Sequence, residues 1–266
     1  MPTGVLLTVA YDGRTFSGYA LQTNARTIAG ELTGAIRALD PRASALRGTS
    51  RTDAGVHALG QRVAFDSTLD IPLRGWVLGL TPHLPKEIAV VSAARVEPGF
   101  EPRRHVRSKT YRYVLLESPV RDPFLEGRVW RQAERLNQIA MSEAAAHLVG
   151  EHDFAAYRGA ADEREETVRR LFRVELQRPR NDDRILSILV EGDRFLYRMV
   201  RIIAGTLVDV GRGRLSPDAT LRGLQSRSRT DLGVTAPPEG LYLDEIVLDA
   251  ALSETWPQVD GSRTVT

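Results

Sequence analysis

Gly48-Thr49-Ser50-Arg51-Thr52-Asp53-Ala54-Gly55-Val56-His57-Ala58 is the stretch on which the reading of this chain turns. It is polar and punctuated by glycine, so residues 48–60 read as a loop, with a β-like run over 61–67 directly behind it. On propensity alone, an Asp between Thr and Ala-Gly is a turn former or a helix cap. Arg51 and Asp53 stand two positions apart, so in extended backbone both side chains leave one face and can bracket a ligand together.

Outward from that loop, the pattern mixes strands and helices. Val5, Leu7 and Val9 alternate as a strand ending at Tyr11-Asp12-Gly13. Thr27 caps a helix carrying Ile28, Leu32, Ile36 and Leu39 on one face, with Pro41 beyond its end. A short helix is expected over 73–80 and strands over 88–96 and 110–117. Glu134 to Val149 reads as an amphipathic helix through Leu136, Ile139, Ala140 and Leu148, followed by a turn at His152-Asp153-Phe154. Strands follow over 168–177 and 185–191, joined by a polar turn. Phe195, Met199, Ile202, Ile203, Thr206, Leu207 and Val210 keep helical spacing to Gly211, and 241–248 is a last strand. This is an α+β grammar, with hairpin-type antiparallel or mixed sheets carrying helices on one face. The expected architecture is two-lobed: 1–105, 106–250 and an irregular tail over 251–266, with a cleft between the lobes.

Composition excludes several chemistries. The 266 residues contain no Cys, so disulfides, thiolate metal sites and a Cys nucleophile are absent. No His, Asp and Glu cluster has metal spacing, and no Gly-rich phosphate loop follows a strand, so neither metal nor cofactor is expected. No apolar run is long enough to span a membrane, and the amino-terminal residues do not read as a signal peptide, so a cytoplasmic protein is expected. The net charge is only +2, yet residues 1–110 hold 14 basic and 9 acidic residues, against 22 and 25 in the remainder. Arg103, Arg104, Arg107, Lys109 and Arg112 form an acid-free basic run beside Tyr111 and Tyr113, a pattern compatible with a nucleic-acid groove and equally with a solvated face. Of the basic residues only Lys86 and Lys109 are lysines; a GC-rich genome produces the same Arg bias.

Ser50-Arg51-Thr52-Asp53-Ala54-Gly55-Val56-His57-Ala58 with Gly60-Gln61 resembles the signature loop of the tRNA pseudouridine synthase A family. The likeness continues through Tyr11-Asp12-Gly13, Ser108-Lys109-Thr110-Tyr111-Arg112-Tyr113, Gly150-Glu151-His152-Asp153-Phe154, Met199-Val200-Arg201 and Thr235-Ala236-Pro237-Pro238-Glu239-Gly240-Leu241-Tyr242-Leu243. It departs at Tyr19, Ala29, Thr81, Glu101 and Arg198, where the family usually has other residues.

The resemblance implies an isomerase that detaches uracil from its ribose, rotates it and rejoins it through C5, without a cofactor. It implies Asp53 as the catalytic carboxylate, acting as a nucleophile or stabilising charge at the anomeric carbon. Tyr111 would stack on the target base or move a proton, and Arg201 would pair with the aspartate. Arg51 would fill the place of the flipped nucleotide, and Leu241 would wall the uracil pocket. Arg103, Arg104, Arg107, Lys109 and Arg14 are candidates for RNA phosphate contacts. The bland readings are a core aromatic for Tyr111, a snorkelling helix residue for Arg201 and a core strand residue for Leu241. His57 and His152 are read as structural. The implied substrate is the tRNA anticodon stem-loop, at nucleotides 38, 39 and 40, bound by a homodimer. Alternatives are a diverged synthase acting on another RNA or supplying pseudouridine to a specialised pathway, and a non-catalytic RNA-binding or RNA-folding protein on the same scaffold.

Overall fold

A computed structural model describes residues 2–250 and 252–257. The chain forms two compact units, residues 1–107 with 243–266, and residues 108–242.

The first unit is built on β1 (Thr3–Tyr11), which lies between β3 (His57–Ser67) and β4 (Ile88–Val96), antiparallel to both. The strand order continues outward to β10 (Leu241–Leu248) beyond β3 and to β11 (Thr255–Trp256) beyond β4, with β2 (Arg47–Gly48) also pairing with β3. The alternation read in β1 is there, but both faces of the strand are covered. Val5, Leu7 and Val9 are fully buried, and Leu6 joins Ala64 and Ala94 in a second cluster closed by Val96, Phe100, Leu248 and Leu252. Helix α1 (Ile28–Leu39) begins at Thr27, whose hydroxyl accepts the Gly30 amide at 3.2 Å. Helix α2 (Leu73–Leu80) sets the fully buried Trp76 edge-on to Phe65, 4.9 Å between ring centres.

The second unit carries β5 (Val106–Glu117), β6 (Trp130–Gln132), β7 (Gly150–Asp153), β8 (Val168–Gln177) and β9 (Ile185–Gly192). Their order is β5-β9-β8-β7, antiparallel throughout, while β6 runs parallel to β5. Three helices, α3 (Gln138–Ala146), α4 (Met199–Gly211) and α5 (Ala219–Ser226), pack on one another, and α3 also packs on β8. Helix α4 is apolar nearly all round, and every residue in it except Arg201 is buried.

The α+β reading holds, and several of its details are corrected. The division falls after Arg107, and residues 243–250 pack with the first unit instead of the second, because β10 pairs with β3. The helix expected over 134–149 is only Gln138–Ala146. Leu136 donates its amide to the buried carboxylate of Glu117 (2.9 Å), and Asn137 caps the helix through Ala140, so the turn before 138 stays open. Ile139, read as part of the apolar face, is 84% exposed. The turn expected at His152 is strand β7, paired with β8. The tail is not wholly irregular, since Thr255 and Trp256 pair with Ala94 and Ala93; Ala251 and residues 258–266 lie outside the described residues. Among the described residues no helix is long and apolar enough to cross a membrane.

Candidate active site

Asp53 lies in the first unit, between β2 and β3. Two hydrogen bonds place Gln61 under the loop's first arm. Its Nε2 donates to the Ser50 carbonyl at 2.7 Å, and its Oε1 accepts the Thr49 hydroxyl at 2.7 Å; Gln61 is fully buried. Thr52, next to Asp53, has its hydroxyl 2.8 Å from that of Tyr11, inside the protein. The Thr52 carbonyl accepts the Tyr19 amide at 3.1 Å. Gly18 sits against this backbone at φ 97°, where a Cβ would stand 2.9 Å from the Thr52 oxygen, so only glycine fits. Past the loop, His57 is buried with Nδ1 accepting the Gly13 amide at 3.3 Å, in keeping with its structural reading. Arg51 and Ala54 are exposed and Asp53 half-buried, while Ser50, Thr52 and Val56 are buried. The backbone is thus gripped on both sides of a carboxylate that keeps some access to solvent.

Arg14 forks onto Asp12, Nε and Nη2 reaching its two oxygens at 2.9 and 2.7 Å. Burial works against the Asp12 charge, but the hydrogen bonds from Arg14 outweigh it and hold the carboxyl below its ordinary range. Arg103 and Arg104 lie exposed in a single turn of 3₁₀ helix, Pro102–His105, and Arg107 is exposed just after it.

The second unit holds Lys109, Tyr111, Arg201 and Leu241. Lys109 and Tyr111 are half-buried on β5, and the Tyr111 ring meets Phe195 edge-on at 5.0 Å. Arg201 opens the first turn of α4, its Nε donating to the Ala236 carbonyl at 2.8 Å while the Ala236 amide donates back to the Arg201 carbonyl at 3.0 Å. This reciprocal pair begins a longer seam. Gly233 donates its amide to the Thr206 hydroxyl and Val234 donates to Asp209, both at 3.1 Å, so residues 233–236 run along α4. Downstream, Leu241 is 7% exposed at the head of β10. Arg198, ahead of α4, adopts left-handed backbone at φ 59°.

Four residues that the reading of roles passed over hold these segments: Tyr11, Thr52, Gln61 and Tyr113. Tyr113 is fully buried, donates its hydroxyl to the Pro237 carbonyl at 2.7 Å and has its pKa pushed up by burial. Its signal was present in the sequence, since it follows Tyr111 at strand period two. Among the described residues no group of three or more His, Asp or Glu side chains is arranged to hold a metal ion.

A family model described as tRNA pseudouridine synthase matches residues 144–248. A tRNA pseudouridine synthase A of Geobacter sulfurreducens is 41% identical over 242 residues, 91% of this chain and 98% of its own. The chain belongs to the tRNA pseudouridine synthase A family. Members from Myxococcus xanthus (41% identical, 90% of this chain and 90% of that one) and Bacillus subtilis (38%, 91% and 98%) are similar over the same span. A solved Cbf5-Nop10-Gar1 complex aligns with a TM-score of 0.36 at 12% identity, over 77% of this chain and 45% of that one, a distant likeness. Three of the departures from the tRNA pseudouridine synthase A pattern have a setting in the structure. Tyr19 and Ala29 are 6% and 5% exposed, so both are packing changes within the first unit. Arg198 holds the left-handed position where Asn, the family's usual residue there, is accommodated more readily.

Proposed function

We propose that this protein is a pseudouridine synthase that isomerises uridine to pseudouridine in tRNA, at the anticodon stem-loop nucleotides 38, 39 and 40. The observation that carries the reading is Asp53, a half-buried carboxylate on a loop whose flanks are clamped at Ser50, Thr52 and His57. Such a loop can hold one carboxylate against a ribose without reorganising during the reaction.

The reaction breaks the bond from C1′ to uracil N1 and forms one from C1′ to C5. The hydrogen on C5 leaves and N1 gains one, so no electrons are exchanged. Asp53 serves as the nucleophile or anionic partner, Arg201 supplies positive charge to the reaction, and Tyr111 stacks on the uracil or moves its proton. Arg51 takes the space vacated when the uridine leaves its stack, which costs a few kcal/mol, and Leu241 walls the base pocket. Arg103, Arg104, Arg107, Lys109 and Arg14 bind phosphates and set the register. A homodimer bound to one tRNA, in the cytoplasm where tRNA is used, completes the proposal.

The test is Asp53→Asn, with pseudouridine mapped in tRNA from cells lacking the gene. The expected result is loss of isomerisation with tRNA binding largely kept, and loss of the anticodon-arm pseudouridines in the deletion strain. Turnover by Asp53→Asn at the wild-type rate would sink the catalytic assignment. Persistence of those pseudouridines with no redundant enzyme would redirect the search to another RNA.

A further inference from the structure

The buried hydroxyl pair of Tyr11 and Thr52 lies one residue from Asp53, and no step of the reaction as described above uses it. Tyr11 is 4% exposed and ends β1; Thr52 is 7% exposed. Their oxygens are 2.8 Å apart although 41 positions separate them in sequence. Thr52 is held at a second atom, since its carbonyl accepts the Tyr19 amide at 3.1 Å. Two anchors on one residue, side chain and carbonyl, leave little freedom to the peptide that leads into Asp53. Gln61 restrains the same arm further back, through Ser50.

We propose that Tyr11 is a positioning residue for the isomerisation, acting through the Thr52 hydroxyl to fix where Asp53 presents its carboxylate; this rests on the reading of Asp53 given above. Tyr11 grows from β1, which is paired along both edges with β3 and β4, so its hydroxyl is a fixed point. A small displacement of a catalytic group costs rate far more than it costs binding, so the pair should register in kcat and not in KM.

The experiment uses the full-length enzyme with unmodified tRNA, measuring kcat, KM and melting temperature. The variants are Tyr11→Phe, Thr52→Val, Thr52→Ser and the double variant Tyr11→Phe/Thr52→Val. Each of the first two is expected to lower kcat about tenfold with KM within about twofold. The double variant is expected to be about as slow as the slower single one, because both remove the same bond. Thr52→Ser keeps the hydroxyl and is expected to recover most of the rate. Ser67→Ala is the stability control: it removes a fully buried β3 hydroxyl bonded to Asp40 at 2.8 Å, and should lower the melting temperature without lowering kcat.

Wild-type kcat in Tyr11→Phe or Thr52→Val, or losses that multiply in the double variant, would overturn the proposal. So would a serine variant as slow as the valine one. If Tyr11→Phe does not fold, the Thr52 valine and serine variants decide the matter between them. An active Asp53→Asn removes the reading of Asp53 itself. An inactive Asp53→Asn beside a fully active Thr52→Val removes only the hydroxyl pair.

Discussion

Replacing Gly205 by alanine should damage this protein, although alanine is the better helix former. Gly205 lies inside α4, where the propensity gain alone is about 1 kcal/mol. A Cβ there would stand 2.8 Å from the Val234 carbonyl carbon, closer still to its oxygen, and 3.1 Å from the Ala236 nitrogen. Carbon atoms rest at about 3.5 Å or more, so helix and segment must part by at least about 0.7 Å. The segment cannot yield alone, being tied to α4 at Arg201, Thr206 and Asp209. Overpacking of this kind costs about 1–3 kcal/mol, and loosening a neighbouring buried hydrogen bond adds about 1 kcal/mol. After the propensity gain, the net loss is about 2 kcal/mol, or about 4–8 °C in melting temperature for a chain of this size. The Arg201–Ala236 pair opens with the same movement, so kcat should fall as well. Gly34→Ala on α1 is the matched contrast, since nothing lies within 4 Å of a Cβ there, and it should stabilise by up to about 1 kcal/mol. Thermal melts and single-turnover isomerisation of both variants provide the test. A Gly205→Ala enzyme as stable and active as wild type would refute the account of the seam.

Tyr113→Phe removes the hydroxyl that donates to the half-buried Pro237 carbonyl, so calorimetry should show a loss of about 0.5–1.5 kcal/mol. Asp40 is buried, which opposes its charge, but hydrogen bonds from Thr68, Ser67 and Arg42 prevail and lower its pKa. A depressed carboxyl stabilises the fold above its unfolded value of about 4 and loses that contribution as pH falls through the folded value. The melting-temperature gap between wild type and Asp40→Asn should therefore be wide at about pH 7 and shrink in acid. Converting Arg103, Arg104 and Arg107 to alanine should weaken tRNA binding and flatten its salt dependence by up to about two to three units of log–log slope, read by filter binding across a salt series.

Much of the first unit was legible because its signals are local. Thr27 marks the start of α1 by capping chemistry, and the β1 alternation survives even though both faces are covered. The misreadings came from long-range partners. Gly60 looked like the end of a loop, whereas β3 already begins at His57; the glycine is there because the Asp244 carbonyl would lie 2.5 Å from a Cβ. The shortened α3 reflects Glu117, whose carboxylate claims the Leu136 amide from a different strand. Asp53 was found through its motif and not its physics, since a loop aspartate alone reads as a turn. What its spacing could not disclose is the grip from Tyr11 and Gln61, made by side chains 41 and 11 positions from the residues they hold.

The strand order places β3 between β1, the first strand made, and β10, the last but one. During synthesis, β3 emerges with β1 and the two-residue β2 already made and β10 still unwritten. The ribosome must first thread all of residues 108–242, an entire second unit, at roughly 7–27 s for those 135 residues. Throughout that interval the nascent chain already contains Asp53, yet its supporting strand has an open edge that other polypeptides can pair with. Closing that edge falls to residues 243–248, so the catalytic loop gains its full foundation only late in translation. A chain interrupted before that point carries the aspartate without the complete sheet beneath it, which couples competence to completed synthesis.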